Sequence, residues 1–421
     1  MSAAISWPLR RRSAASSLNN AHCATDPTKT LKGGVGLNTP QRFIYADNAA
    51  TTPVSSAVLQ AMLPYFCEQF GNPSAIYSAG VRAKRAVEQA RADIAACLGA
   101  QPEEIFFTSG GSESDNWAIK GVARRLAEQG KKHLVTSKFE HHAVLHAMRA
   151  LEQEGFSITY LQVHENGLVR PEELAAALRP DTALCSVMYA NHEIGTIQPI
   201  AQLGAICRQR GVLFHTDAVQ AVGQVEIDVQ EQNIDLLSFT GHKLHGPKGC
   251  GGLYIRRGVA LQNLIDGGGQ EMGRRAGTEN TAGIVGLAAA VAAACSNIAA
   301  KAEQVSALRN RLIDGLRDLP DVRLNGDLIH RLPGNVNVCF SGIDGEALAL
   351  MLDLRGICAS SGSACTTGSN QPSHVLLALG VPPALARGAL RLTLSNQNTQ
   401  EDVDEILRVL PDIIHQLRSM P

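Results

Sequence analysis

The sequence predicts an α/β fold: a large domain around a mainly parallel seven-stranded sheet, followed by a smaller α+β domain. Two observations carry that reading. Short apolar, β-branched runs alternate with helix-period stretches, the pattern of a parallel sheet covered on both faces. Beyond Glu279 the alternation gives way to a long helical pattern and then to mixed elements.

The strand-like runs are 104–108, 133–137, 158–163, 183–189, 212–215, 236–240 and 252–255. Helical stretches at 80–98, 112–129, 171–178 and 200–210 lie between them. A single helical pattern is expected from about 280 to 319, then a strand at 336–340, a Gly/Ser-rich loop at 359–369 and a last helix at 401–417. These boundaries place the large domain at 53–295 and the small one at 296–421, with 42–52 packing near the small domain. Residues 1–41 read as a disordered extension. Their Arg10, Arg11 and Arg12, with a single acidic residue, also suit an organellar transit peptide. Cytoplasmic residence follows from the first reading and an organelle from the second.

Bulk properties exclude several classes. A net charge of -1 gives no whole-chain field toward nucleic acid or membrane. The longest apolar run, 282–295, is shorter than the roughly 20 residues that span a bilayer, so a buried helix is expected there. Ten cysteines are scattered singly with no C-x-x-C pair, so no structural metal site is expected and a reducing compartment suits them. Cys358, in an apolar run, reads as buried.

In open sheets of this kind ligands bind outside the carboxyl ends of the strands. At such an end, Ser238-Phe-Thr-Gly-His-Lys243 presents an amine suited to condense with an aldehyde. A neighbouring apolar run ends in Asp217, the acidic partner a pyridine nitrogen needs to stay protonated. Thr108-Ser-Gly-Gly-Ser112-Glu-Ser-Asp115 follows a third strand and opens a helix. Ser112 and Asp115 fit a capping box, while the glycines let backbone N–H groups approach a phosphate. Amine, carboxylate and glycine-rich helix start on one sheet edge point to pyridoxal 5'-phosphate. Separately, Cys365 lies in Ala359-Ser-Ser-Gly-Ser-Ala-Cys-Thr-Thr-Gly-Ser369, too rich in small residues to build a core. An exposed loop thiol ionises more readily than a buried one.

With these residues in view, the chain resembles cysteine desulfurases, fold type I enzymes of the class-V aminotransferases that serve iron–sulfur cluster assembly. The resemblance covers about residues 43–417. It rests on Ala46-Asp-Asn-Ala-Ala-Thr-Thr-Pro53, Phe70-Gly-Asn-Pro-Ser74, Glu140-His-His142, Asp217-Ala-Val-Gln220, Gly241-His-Lys-Leu-His-Gly-Pro-Lys-Gly249, Gly277-Thr278-Glu279 and Ser360-Ser-Gly-Ser-Ala-Cys365. It implies that Lys243 holds the cofactor, Asp217 pairs with the ring nitrogen, and His141 stacks on the ring and shuttles a proton. It further implies that Gln220 meets the ring hydroxyl and that Gly111, Ser112, Thr240 and His242 hold the phosphate. Thr278 would reach the partner subunit's phosphate in a homodimer. Arg391, with Asn191, would bind the substrate, L-cysteine, and Cys365 would take its sulfur for an acceptor or iron–sulfur scaffold protein.

The family usually shows Asn-Asn-Glu where this chain has Asn191-His192-Glu193. His192 therefore stands where an asparagine bonds the ring hydroxyl, and is expected to add a pH dependence that asparagine lacks. After Arg391 the family often continues Ser-Leu-Gly-Arg, whereas this chain reads Thr393-Leu-Ser-Asn396. Selenocysteine lyase and class-V aminotransferase are the competing activities; the latter has no need of Cys365.

Overall fold

A computed structural model describes residues 42–361 and 371–419. A short strand, β1 (Ile44–Tyr45), precedes the main sheet. That sheet contains β2 (Ile105–Thr108), β3 (His133–Ser137), β4 (Ser157–Leu161), β5 (Thr182–Ser186), β6 (Leu213–Asp217), β7 (Leu236–Thr240) and β8 (Gly251–Ile255). Their spatial order is β2-β8-β7-β6-β5-β3-β4. Every pairing is parallel except those of β8, which runs antiparallel to both β2 and β7. The strands β2, β3, β5, β6 and β7 therefore all end on one edge. All residues of β2, β3, β5, β7 and β8 are buried, which is why they read as uninterrupted apolar runs.

Side chains alternate across the sheet. Phe106 joins Trp117 and Leu134 on one face, while Ile105 and Phe107 join the core under helix Ser78–Leu98 on the other. Fully buried Trp117, on helix Gly111–Ala127, meets Phe106 edge-on at 5.8 Å between ring centroids. Its indole N–H donates to Gln262 O at 3.1 Å. Helix Ser78–Leu98 ends at Gly99, whose φ of 68° closes it in the left-handed region. A Cβ there would also come within 2.5 Å of the Asp228 carboxylate.

The single helical pattern expected over 280–319 is two helices, Thr281–Cys295 and Ile298–Arg317, bent by 74°. Ser296 is extended and Asn297 is left-handed with φ 52°, which interrupts the hydrogen-bond series. Lys301 Nζ donates to Ala293 O at 2.5 Å, placing a cation on the carbonyl end of the first helix. No single helix among the described residues is long and apolar enough to cross a membrane.

The rest of the chain adds β9 (Val322–Leu324), β10 (Asn335–Phe340), β11 (Ile357–Cys358) and β12 (Ala389–Thr393). An antiparallel sheet of order β12-β10-β9 packs against helices Ile298–Arg317, Gly345–Asp353 and Gln400–Ser419 around a separate apolar cluster. β11 pairs in parallel with β1, and Ile44 and Ala46 bury into that cluster. Cys358, expected to be buried, is half-buried, because the two-residue β11 has β1 as its one partner strand. Helix His142–Gln153 was not among the stretches singled out from the sequence.

Replacing Trp117 tests the packing that holds the helix over the strand ends. Trp117→Ala should destabilise the protein by about 3–5 kcal/mol, read as a lower urea midpoint. Trp117→Phe, which keeps a ring but loses the bond to Gln262, should lose less.

Candidate active site

The carboxyl ends of β2, β3, β5, β6 and β7 converge on an open cavity of about 420 Å³. Its lining includes Gly111, Ser112, His141, His192, Asp217, Gln220, Thr240, His242, Lys243 and Arg391. Ten of the residues singled out from the sequence thus share one space. Asn191 and Thr278 are not in the lining. Asn191 is buried behind it, where its Oδ1 accepts from Glu193 N and Ile194 N and its amide donates to Phe139 O. Its work is to fold the loop that carries His192. Thr278 is exposed. Cys365 lies outside the described residues.

Lys243 follows β7 in the turn Gly241–Lys243. Its Nζ donates to Ala49 O at 2.5 Å and Ala50 O at 2.6 Å. Residues 47–52 form the facing wall: Thr52 N and Oγ1 both donate to His242 O, and Thr51 Oγ1 meets His242 Nδ1 at 3.2 Å. Gln220 Nε2 donates to Ala49 O at 3.0 Å. Asp217 ends β6, opposite Ser238 of β7, and its Oδ1 accepts from Val219 N at 3.0 Å. Burial raises its pKa to about 6, against the pull of that bond and of Lys243.

The helix start differs from the expected capping box. The N-cap is Gly110, with φ 151°, and Ser112 is the second helical residue. Ser109 N donates to Glu113, not to Asp115. Asp115 instead points into the sheet face and is fully buried. Glycine is needed at 111 because a Cβ there would lie 2.6 Å from Val219 Cγ2. The first turn therefore approaches the Asp217 loop closely, and its free N–H groups open on the cavity beside Thr240 and His242.

His141 caps helix His142–Gln153 by accepting from Ala143 N through Nδ1 at 3.1 Å. That bond fixes the ring's orientation. Burial, then the Lys243 charge, lowers its pKa to about 4, so the ring is neutral. His192 packs edge-on to it, with ring centroids 5.4 Å apart. Burial and the neighbouring His141 and Arg391 push His192 well below the usual histidine range. That direction runs against the pH dependence near neutrality expected of His192. Its Nδ1 is buried without a hydrogen-bond partner among the described residues. Arg391, on β12, is fully buried; its guanidinium donates to His192 O at 3.1 Å and pairs with Asp47 Oδ1 at 2.8 Å.

Asp47 and Met188 carried no assigned role in the sequence, and Asp115 only that of a helix cap. Asp47 stands in a quoted motif, and its distance in sequence from Arg391 hid the pairing. Asp115 lies beside His215, 3.7 Å from its Nε2, with Oδ1 otherwise unpartnered. Burial first, and the Asp217 charge second, raise its pKa well above the carboxylate range. Glu140, accepting from Ser137 and Met188 N, is raised by burial to about 8. Asp115 and Asp217 both line this end of the cavity.

Two predictions follow from these buried groups. Asp115 ionises first in the unfolded chain, so its contribution to stability falls as pH rises above about 4. Asp115→Asn should raise apoprotein stability at pH 7 by about 1–3 kcal/mol, with the gain shrinking toward pH 4 in thermal melts. His192→Asn should change the absorption spectrum of bound cofactor by the same amount at every pH from about 6 to 8. A difference that varies through that range would show a titrating His192.

Residues 44–406 match the aminotransferase class-V family. The chain is 54% identical to the cysteine desulfurase IscS of Methanosarcina thermophila over 387 residues, covering 92% of this chain and 96% of that one. It is 46% identical to the cysteine desulfurase of Nostoc sp. over 378 residues, covering 90% and 94%. A solved NifS-like protein superposes with a TM-score of 0.84 at 39% identity, covering 89% of this chain and 100% of that one. SspA in complex with cysteine gives a TM-score of 0.75 at 40% identity, covering 84% and 99%. The chain belongs to the class-V aminotransferases and, among them, to the cysteine desulfurases.

Proposed function

We propose that the protein is a pyridoxal 5'-phosphate enzyme that converts L-cysteine to L-alanine and transfers the sulfur to Cys365. The observation that carries this is the meeting of the Lys243 amine, the Asp217 carboxyl and the Gly111–Ser112 helix start in one cavity. These groups fit the cofactor. The helix start offers N–H donors to a phosphate, and the Asp217 carboxyl, whose pKa is raised to about 6, offers a counter-charge to a ring N–H. When bound, the cofactor supplies an electron sink that acidifies the substrate Cα proton and weakens the Cβ–S bond.

The chain's own residues do the remainder. Lys243 holds the cofactor aldehyde and, once displaced, takes the Cα proton at Nζ. Neutral His141, oriented through its Nδ1, stacks on the ring and passes a proton from its other nitrogen. Gln220 and His192 face the ring hydroxyl. Thr240 and His242 join the helix start at the phosphate. Arg391 binds the substrate carboxylate, a task for which its buried and unpartnered Nε suits it. Asn191 supports that end by holding the His192 loop. The thiolate of Cys365 attacks the substrate sulfur and keeps it as a persulfide.

We further propose a homodimer. Phe70, Ile76, Tyr77 and Met272 expose large apolar surfaces, with Ile76 97% exposed; a partner subunit would cover them and receive Thr278 at its phosphate site. A division near residue 296 into a large cofactor-binding domain and a small one agrees with the separate apolar cluster there. Sulfur would pass to a scaffold or other acceptor protein for iron–sulfur cluster synthesis in the cytoplasm.

The test is alanine and sulfide release from L-cysteine by wild type, Lys243→Ala and Cys365→Ala. Lys243→Ala should lose bound-cofactor absorbance and roughly 10²–10⁴-fold in rate. Cys365→Ala should keep that absorbance and lose protein-bound sulfane sulfur. Full activity in Cys365→Ala would instead assign an aminotransferase or lyase reaction, and faster turnover of selenocysteine would identify the latter.

A further inference from the structure

The described stretches on either side of Cys365 are both tied to the walls of the cavity. On the amino side, Ser360 N donates to Arg391 O at 3.1 Å and Arg391 N donates back to Ser360 O at 2.7 Å. On the carboxyl side, Ser373 Oγ donates to Glu193 Oε2 at 2.5 Å. The same Oγ accepts from Val375 N and Leu376 N and so caps helix His374–Ala378. His374 Nε2 meets Glu140 O at 3.0 Å, beside His141. Val375 and Leu376 are fully buried in the apolar cluster of the main sheet.

Glu193 is fully buried and follows His192 in the turn that walls the cavity. Its backbone is pinned on both sides. The N–H donates to Asn191 Oδ1 at 2.8 Å, and the carbonyl accepts from Asn335 Nδ2 at 3.1 Å and Asn337 Nδ2 at 3.2 Å, both on β10. The Ser373 hydroxyl is the one hydrogen-bond donor to its carboxyl among the described residues, and Oε1 has none. A buried carboxyl costs free energy that an apolar side chain of similar size would not. What it supplies in return is direction, because it fixes where residue 373 must sit.

We infer that Glu193 is a positioning residue: through Ser373 it holds the carboxyl-side anchor of the Cys365 segment at the cavity wall, and transfer of substrate sulfur to Cys365 depends on that bond. The inference rests on the proposed desulfurase activity and names residues that serve its sulfur-transfer step. In that step the Cys365 thiolate attacks the substrate sulfur and the Cβ–S bond breaks. Its electron pair goes to Cβ, which takes up a proton as alanine forms, while the two sulfurs are oxidised to a persulfide. Cys365 is five residues from Ser360 and eight from Ser373. At about 3.3–3.6 Å per residue, its Cα stays within roughly 18 Å of the first anchor and 29 Å of the second. The two limits together confine the thiol to a volume shared by both tethers, beside Arg391 and His192. Releasing Ser373 enlarges that volume and lowers the effective concentration of thiol at the substrate sulfur.

The full-length holoenzyme mixed with L-cysteine in a single turnover tests this with two readouts. One is the initial absorbance change of the bound cofactor, and the other is persulfide on the Cys365 peptide, read by alkylation and mass spectrometry. Ser373→Asp keeps an acceptor for the helix cap but removes the donor to Glu193, and Glu193→Ala removes the acceptor. Both variants should show the wild-type absorbance change and form persulfide roughly 10-fold more slowly or worse. Ser373→Thr, which keeps the hydroxyl, should match wild type in both readouts. Persulfide formation at the wild-type rate in either Ser373→Asp or Glu193→Ala would overturn the inference. Equal slowing of both readouts would do the same, since it would mark the bond as structural only. Wild type that leaves Cys365 free of sulfur while its cofactor responds to L-cysteine would instead sink the sulfur-transfer reading, and the inference with it.

Discussion

The cavity depends on a short stretch of backbone, residues 47–52, caught between two cores. On one side Lys243 donates to the carbonyls of Ala49 and Ala50, and Thr52 donates twice to His242 O. On the other side Asp47 pairs with Arg391 of β12, and Ala49 N donates to Thr393 Oγ1. Each contact is modest, on the order of 1 kcal/mol. Together they fix the distance between the strand ends of the main sheet and the small sheet. The same contacts occupy the amine and the guanidinium that the chemistry needs. Ligand binding must exchange them for contacts of at least equal strength.

A second constraint is desolvation. The charged form of each group at the sheet edge has lost water that the protein replaces only in part. His141 and His192 are held neutral, while Asp115 and Glu140 are held protonated. Asp217 titrates near 6, with the Lys243 charge pulling it down against burial. A cation placed beside Asp217 would reverse that balance in favour of the carboxylate. The cavity thus suits a ligand with a phosphate at the helix start and an N–H donor at Asp217.

Most of the main sheet was legible because its strands are buried on both faces and so read as plain apolar runs. His133–Ser137 and Leu236–Thr240 have the boundaries read from the sequence. What pattern could not supply was direction. β8 follows β7 directly as an antiparallel neighbour, and nothing in Gly251–Ile255 distinguishes it from a parallel strand. The helix break at Asn297 was hidden for a related reason: Ser296 and Asn297 differ from a helical sequence only in backbone conformation. The capping-box misreading at Ser112 shows local chemistry yielding to tertiary demand. Asp115 has the right spacing for a cap, yet its carboxyl is drawn into the sheet beside His215 and Asp217.

The site was legible to the extent that its residues lie at strand ends or in motifs. Lys243, Asp217 and the Gly110–Ser112 turn came from strand-end position alone, whereas His141, Gln220 and Arg391 came through the family likeness. Asp47 shows the limit. Its partner Arg391 is 344 positions away, and their pairing requires β1 to lie beside β11 and the next residues to bridge to β12. Ion pairs of that range are properties of topology, so no window of sequence contains them. His192 marks the opposite case, where chemistry rather than topology misleads. A histidine in place of an asparagine suggests a titrating group, but a largely buried imidazole beside a cationic guanidinium is disfavoured from gaining a proton. Burial turns the substitution into an exchange of one neutral hydrogen-bonding group for another with a different shape.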